Sequence, residues 1–266
     1  MERSFTDQIG HTITIETSPK RIISLVPSQT ELLAYLGLDD EVAGITKFCI
    51  HPEIWFRTKT RVGGTKNVNF EKIEHLNPDL IICNKEENKE SEVRALMEKY
   101  PVWTSDIHNL DDSLAMINSI GDMVNKQDEV KKLAAKIKNN FKEFEKTKPA
   151  PKRVVYLIWK DPYMAAGKDT FIDYTLSTCN FKNVCIEALG RYPQLSMEQI
   201  KNLQPELILL SSEPFPFTEK HLTEFKSYFP ESIPVLVDGE YFSWYGSRLV
   251  DAPQYFKSLI ENSINV

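Results

Sequence analysis

The sequence predicts an α/β protein made of two similar, doubly wound α/β lobes joined by one long rigid α-helix, with a ligand cleft between the lobes. Three observations lead there. Residues 70–82, FEKIEHLNPDLII, align without a gap on residues 197–209, MEQIKNLQPELIL, so one helix-and-strand unit occurs twice about half a chain apart. Short apolar runs alternate with amphipathic segments on either side of the midpoint, the pattern of a parallel sheet covered by helices. A long lysine-rich helix separates the two halves. The boundaries that follow are an N-terminal lobe over 1–110, connecting helices over 111–150 and a C-terminal lobe over 151–266.

The opening FTDQIGHTITIE alternates apolar and polar residues around a glycine and predicts a hairpin, followed by a buried strand over Ile22–Val26. Next comes PSQTELLAYLG. Ser28 and Glu31 have the spacing of a capping box, an apolar face follows, and Gly37 stops the helix. EVAGIT is a short strand. The first repeat helix begins near Asn69, ends at Pro78 and runs into the strand DLIIC. A helix over about 89–99 then leads to the strand PVWTS.

DDSLAMINSIGDMV predicts one helix and 128–146 a second, about 28 Å long at 1.5 Å per residue. In the second, Val130, Leu133, Ile137, Phe141 and Phe144 recur at spacings of three and four, which gives one narrow buried stripe and leaves the lysines on a solvated face. After KPAPK the plan restarts. RVVYLIW mirrors RIISLV, LSMEQIKNLQPELILL mirrors the first repeat, and IPVLVD mirrors YPVWTSD.

In open parallel sheets, ligands lie beyond the carboxyl ends of the strands. The residues there are Pro27–Thr30, Thr46–His51 and Gly63–Thr65 in the first half. In the second they are Trp159–Tyr163, Arg191–Tyr192 and DGEYFSWYGSR, which contains Tyr241, Trp244 and Arg248. So many aromatic side chains at strand ends read either as lids on the core or, together, as a stacking surface for a large flat ligand, with Arg248 to meet a negative group.

The segments RIISLVPSQTELLAYLGLDDEVAGIT, VGGTKNVNFEKIEHLNPDLII, MAAGKDTFIDYTLSTCNFKNV and YPQLSMEQIKNLQPELILL together resemble the helical-backbone (class III) substrate-binding proteins of ABC importers, receptors for vitamin B12, ferric siderophores and haem. The resemblance spans nearly the whole chain and is greatest to the vitamin-B12-binding branch. It implies a receptor that holds a metal chelate (cobalamin, ferric siderophore or haem) between its lobes, acts as a monomer and has no catalytic residue, cofactor or resident metal. Ligand contacts are then expected from Phe48, His51, Thr65, Trp159, Tyr192, Tyr241, Trp244 and Arg248. Thr65 stands where the vitamin-B12-binding branch has an aromatic, which widens the expected ligand from cobalamin to the metal chelates as a class.

The resemblance also implies that Glu71 and Glu198 dock into arginine pockets of a membrane permease. From the residues alone, Asn69 and Ser196 are N-cap types, so both carboxylates fall in a first helical turn, where the dipole favours negative charge. Acids also stand there for helix stability alone. Extracytoplasmic work is implied as well, although MERSFTDQIGHTITIE has no apolar core or cleavage site and does not read as a signal peptide, which leaves a cytoplasmic location open.

Bulk properties exclude other classes. A net charge of -6 argues against nucleic acid as a partner, and no apolar run approaches the ~18–20 residues that cross a bilayer. The five histidines are scattered, with only His51 at an expected cleft edge, so a bare zinc or manganese receptor is the weaker alternative. An α/β enzyme using the cleft is the other alternative. Asp161, Asp238 and Glu240 would be its acid–base groups, but no glycine-rich phosphate turn, GxSxG elbow or HExxH helix occurs. The four cysteines form no CxxC pair. Cys83 reads as a core residue; Cys179 and Cys185 are close enough in sequence for a bridge to close a short loop, but unbridged thiols are the favoured reading.

Overall fold

A computed structural model describes residues 2–16, 18–147, 149–185 and 190–261. It contains two compact units. One comprises Met1–Lys136 with Tyr245–Arg248, the other Ile137–Trp244 with Leu249–Val266. Residues 188 and 189, which open the second copy of the repeat, lie outside the described residues.

The first unit opens with an antiparallel hairpin of β1 (Glu2–Thr6) and β2 (Thr12–Glu16). β3 (Ile22–Ser24), α1 (Pro27–Tyr35), β4 (Val42–Ile45), α2 (Glu53–Thr58) and β5 (Thr60–Arg61) follow. The small hairpin β6 (Gly63–Gly64) and β7 (Asn67–Val68) leads into α3 (Phe70–Leu76), β8 (Leu80–Asn84), α4 (Glu90–Met97) and β9 (Val102–Ser105). Five strands form one parallel sheet in the order β5-β4-β3-β8-β9. Its order reverses between β3 and β8, the switch point at which the strand-end loops part. Ile23, Leu25, Ile73, Ile81 and Val102 form the centre of its core.

α5 (Leu110–Met123) and α6 (Gln127–Glu145) follow, and the boundary between the units falls inside α6, so that α5 belongs to the first unit. Val130, Leu133, Ile137, Phe141 and Phe144 of α6 are all buried, as their spacing predicts, and its lysines are exposed.

The second unit contains β10 (Lys152–Trp159), β11 (Tyr163–Ala165), α7 (Phe171–Thr178), β12 (Phe181–Asn183), β13 (Gln194–Leu195), α8 (Met197–Asn202), β14 (Leu207–Ser211), α9 (Glu219–Tyr228) and β15 (Ile233–Val237). α10 (Glu240–Ser243), a 3₁₀ turn at Ser247–Val250 and α11 (Ala252–Leu259) end the chain. β10 is parallel to β14 and β12, and β14 to β15, whereas β11 and β13 add an antiparallel edge.

The repeat has a physical basis in both units. Each repeat helix ends in a left-handed residue before proline: Asn77 (φ 44) before Pro78 and Gln204 (φ 47) before Pro205. The acid after the proline turns back to the strand that begins the sheet. Asp79 accepts hydrogen bonds from the backbone N–H of Lys20 and Arg21 at 2.9 and 2.8 Å, and Glu206 accepts that of Arg153 at 2.9 Å. The arginine closes the loop by donating to the open helix end, Arg21 Nε to the Asn77 carbonyl at 2.6 Å and Arg153 Nη2 to the Leu203 carbonyl at 2.6 Å. Carbonyls that a helix terminus leaves unpaired are thereby satisfied. The matching arginines of RIISLV and RVVYLIW are therefore latches, and the backbone bond from Arg153 holds the Glu206 carboxyl below its ordinary range.

One sequence expectation is corrected. Ser28 does not cap α1. Val26 is the N-cap with no side-chain bond, because Pro27 at the first helical position starts the helix, and Glu31 is taken by an ion pair instead. In the aromatic loop 241–245, Phe242, Trp244 and Tyr245 are buried. Cys179 and Cys185 are buried thiols with no disulfide between them, and Cys49 and Cys83 are buried thiols as well; burial pushes Cys185 up to about 12.

Candidate functional site

At the switch point of the first unit, the carboxyl ends of the strands are filled by a buried polar network. Asn88 Nδ2 donates to the carbonyls of Leu25 (3.1 Å) and Thr65 (3.0 Å), bridging the β3 end to the β6–β7 hairpin. Its Oδ1 accepts the Asn84 backbone N–H at 2.8 Å, while Asn84 Oδ1 accepts the N–H groups of Glu86 and Glu87. Ser105 Oγ takes an amide N–H from Asn84 and another from Gln29, so β8, β9 and α1 share one hydroxyl. Buried amides paired in this way form a stiff floor. The sequence signal for it is the polar residue that ends each strand, as in DLIICN.

Of the expected contacts in this unit, Phe48 is 51% exposed, and His51 and Thr65 are half-buried. All three follow strands or short hairpins at the same end of the sheet. Arg248 and Tyr245 belong to this unit although they come late in the chain. Arg248 grips Glu31 of α1 with two nitrogens, at 2.6 and 3.2 Å, and Tyr245 donates its phenol proton to Glu87 at 2.6 Å. Burial, then the carboxylate of Glu87, holds the Tyr245 phenol well above its ordinary value. Arg248 thus has its charge met inside the unit.

In the second unit the switch point lies between β10 and β14, and there Trp159 is 39% exposed. Its ring packs edge-on against Phe215 at 5.9 Å, and Phe215 in turn meets Phe217 at 4.8 Å and His221 at 5.6 Å. Beside it, Lys160 donates to Glu224 at 2.6 Å and Tyr163 to the same carboxylate at 3.1 Å. The Lys160 bond holds the Glu224 carboxyl down. Tyr192 is half-buried. Tyr241 stacks on Tyr255 at 4.4 Å and 11°. Trp244 is 5% exposed and its indole N–H donates to Glu213 at 2.9 Å. Glu87 and Glu213 carry no signal in the sequence, because each acts through a partner distant in it, Tyr245 and Trp244.

Glu213 also accepts the Ser243 hydroxyl at 2.7 Å, and burial, reinforced by Glu240 and Asp238, raises its carboxyl above the ordinary value. Between the ordinary and the raised value the folded chain holds more protons than the unfolded one, so stability falls as pH rises through that window. Glu213→Gln keeps an acceptor for Trp244 and removes the charge. It is expected to raise the thermal midpoint at neutral pH and flatten the dependence of the midpoint on pH above the ordinary carboxylate range; an unchanged slope would show that another group carries it.

Glu71 and Glu198 occupy the same place in the two repeats, the second residue of α3 and of α8. Asn69 caps the first helix by accepting the Lys72 N–H at 2.9 Å, and Ser196 caps the second in a full capping box with Gln199. Both glutamates are exposed and pair with no described residue, whereas Glu74 on the same helix as Glu71 meets Lys99 at 3.7 Å.

A model of the periplasmic binding proteins matches residues 22–234. The chain belongs to that family. Its members are substrate-binding receptors of ABC importers, working with a membrane permease and a small-molecule ligand, and are not enzymes. Among curated relatives, the ABC transporter substrate-binding lipoprotein YvrC of Bacillus subtilis is 28% identical over 76% of this chain and 67% of its own length. The vitamin B12-binding protein of Pectobacterium atrosepticum is 26% identical over 89% of this chain and 86% of that protein. In fold, the binding protein matches the periplasmic vitamin B12-binding protein BtuF of Vibrio cholerae with a TM-score of 0.82 at 21% identity, over 94% of this chain and all of that one. The haem-binding protein HutB of the same organism gives 0.75 at 20% identity, over 90% of this chain and 98% of the other. Two α/β lobes of the class III type are thus the fold of this chain.

Proposed function

We propose that the protein captures a metal chelate of the cobalamin, ferric-siderophore or haem type outside the cytoplasmic membrane and, as a monomer, hands it to a permease through Glu71 and Glu198. The observation that carries this is the matched pair of exposed carboxylates, each without a partner among the described residues, at the same position of a capped helix. Other acids on or beside the repeats have cations of their own, as Glu74 and Glu206 do. Two that do not, at equivalent points of a repeat, are suited to basic pockets on another protein. The ligand class rests on the relatives and on Phe48 and Trp159, large aromatics left exposed at strand ends, where a flat macrocycle can stack. His51, Thr65 and Tyr192, each half-buried, are the supporting contacts of this reading. Tyr241, Trp244 and Arg248, each already engaged, act from behind as framework.

A fluorescence titration tests the capture step. Haem and cobalamin absorb where tryptophan emits, so a bound chromophore quenches the emission of the protein's tryptophans, buried or not, by energy transfer. Saturable quenching by cyanocobalamin, haemin or a ferric siderophore at micromolar concentration or below is expected, with affinity weakened in Trp159→Ala, which removes the 39% exposed stacking face. The chelate assignment fails if no member of the panel binds saturably.

A further inference from the structure

The loop after β4 holds a cation in place without an acid. Lys47 and Phe48 both rest on Gly64 of the β6–β7 hairpin. A Cβ added there would stand 3.2 Å from Phe48 Cε2 and 3.4 Å from Lys47 Cε. The Lys47 ammonium lies 5.0 Å from the centre of the Phe48 ring, within cation–π range. The backbone beneath is pinned as well. Lys47 N–H donates to the Gly63 carbonyl at 2.8 Å, and Phe48 N–H to the Thr46 hydroxyl at 3.3 Å. Packing of the stem on glycine and ring spends its rotamer freedom before any ligand arrives.

Cations near it in the same unit are neutralised or committed. Arg248 meets Glu31 at 2.6 Å and Lys85 meets Asp106 at 2.5 Å, while Lys66 donates to the Glu86 carbonyl. Lys47 has no carboxylate partner among the described residues and is exposed next to an aromatic that is 51% exposed. A cation fixed beside a stacking face, with no counter-charge of its own, fits a ligand that brings one.

We propose that Lys47, seated with Phe48 on Gly64, selects chelates that carry an oxyanion, a carboxylate or a phosphodiester, at the edge of the macrocycle. The inference rests on the chelate assignment above and narrows it. Chelates of similar size that lack an oxyanion gain nothing from this residue.

Two matched ligand pairs separate the sources of the oxyanion. Cyanocobalamin carries a phosphodiester that dicyanocobinamide lacks, and haemin carries carboxylates that its dimethyl ester masks. Affinities are measured by fluorescence for the wild type, Lys47→Gln and Lys47→Arg at low and high salt. For whichever pair binds, Lys47→Gln is expected to weaken the oxyanion-bearing member about five- to tenfold at low salt and the other member by less than about twofold. Lys47→Arg retains most of the preference, and high salt erodes it in the wild type. Equal losses for both members of a pair, or none, would overturn the role of Lys47 and leave the chelate assignment standing. If none of the four compounds binds the wild type, the chelate assignment falls and this inference with it.

Discussion

Replacing both Glu71 and Glu198 by alanine is expected to abolish ligand uptake while ligand affinity stays within about twofold of wild type, because neither side chain pairs with another described residue and truncation leaves no stranded partner. A carboxylate bound by arginine is worth about 1.5–3 kcal/mol. Removing both carboxylates lowers permease affinity by about two to four orders of magnitude, at about 1.4 kcal/mol per decade. The cost to the fold is small: an acid in a first helical turn adds about 0.3–1 kcal/mol, and the caps at Asn69 and Ser196 remain. Each single substitution should leave partial uptake, and charge reversal to lysine should be worse than alanine. Glu74→Ala is the control. It removes an exposed carboxylate three residues from Glu71, on the same helix, whose salt bridge to Lys99 at 3.7 Å is worth little. Measured in cells carrying the cognate permease, normal uptake by the double variant would sink the docking assignment. Loss of uptake by Glu74→Ala as well would reduce it to a general charge effect.

The parts of this molecule that were legible in the sequence are those whose cause is local. The caps at Asn69 and Ser196 are set by residues three positions away, and the α6 stripe from Val130 to Phe144 repeats at helical spacing. The duplicated unit was visible as an echo, but what the echo preserves emerged only in three dimensions. The arginine that starts each sheet closes the repeat helix some fifty residues further on. Where a residue's partner is remote, local rules mislead. Ser28 and Glu31 have capping-box spacing, yet Pro27 takes the first helical position and Glu31 answers to Arg248, 217 residues later. The aromatic run 241–245 reads in sequence as either lid or binding face, because sequence alone does not reveal that Glu213 and Glu87 receive the indole and the phenol. Lys47 is silent in the sequence for a related reason. An exposed lysine is ordinary until Lys85 and Arg248 of the same unit are seen to have acids and this one is seen resting on Gly64.

Arg248→Met is expected to destabilise the first unit by about 2–3 kcal/mol, less than the roughly 3–5 typical of a fully buried pair because some exposure remains. The side chains of Arg248 and Glu31 are 13% and 22% exposed, so the substitution strands a carboxylate that water reaches poorly. The segment that carries Arg248 is itself held down on this unit. Ser113 Oγ donates to the Tyr245 carbonyl at 2.7 Å, and Gly246 passes so close to α1 that a Cβ would stand 2.5 Å from the Ser28 carbonyl oxygen. Pairing Arg248→Met with Glu31→Leu removes both charges and should recover much of the loss, since it is the unpaired charge that costs most. Urea unfolding followed by the emission of Trp55 and Trp103, both buried in this unit, reads the effect directly. The same variant decides what Arg248 is for. If it loses stability and keeps ligand affinity, Arg248 is a brace for α1. A collapse of ligand affinity at unchanged stability would mean instead that the guanidinium leaves Glu31 for an anion on the ligand, and the brace would be wrong.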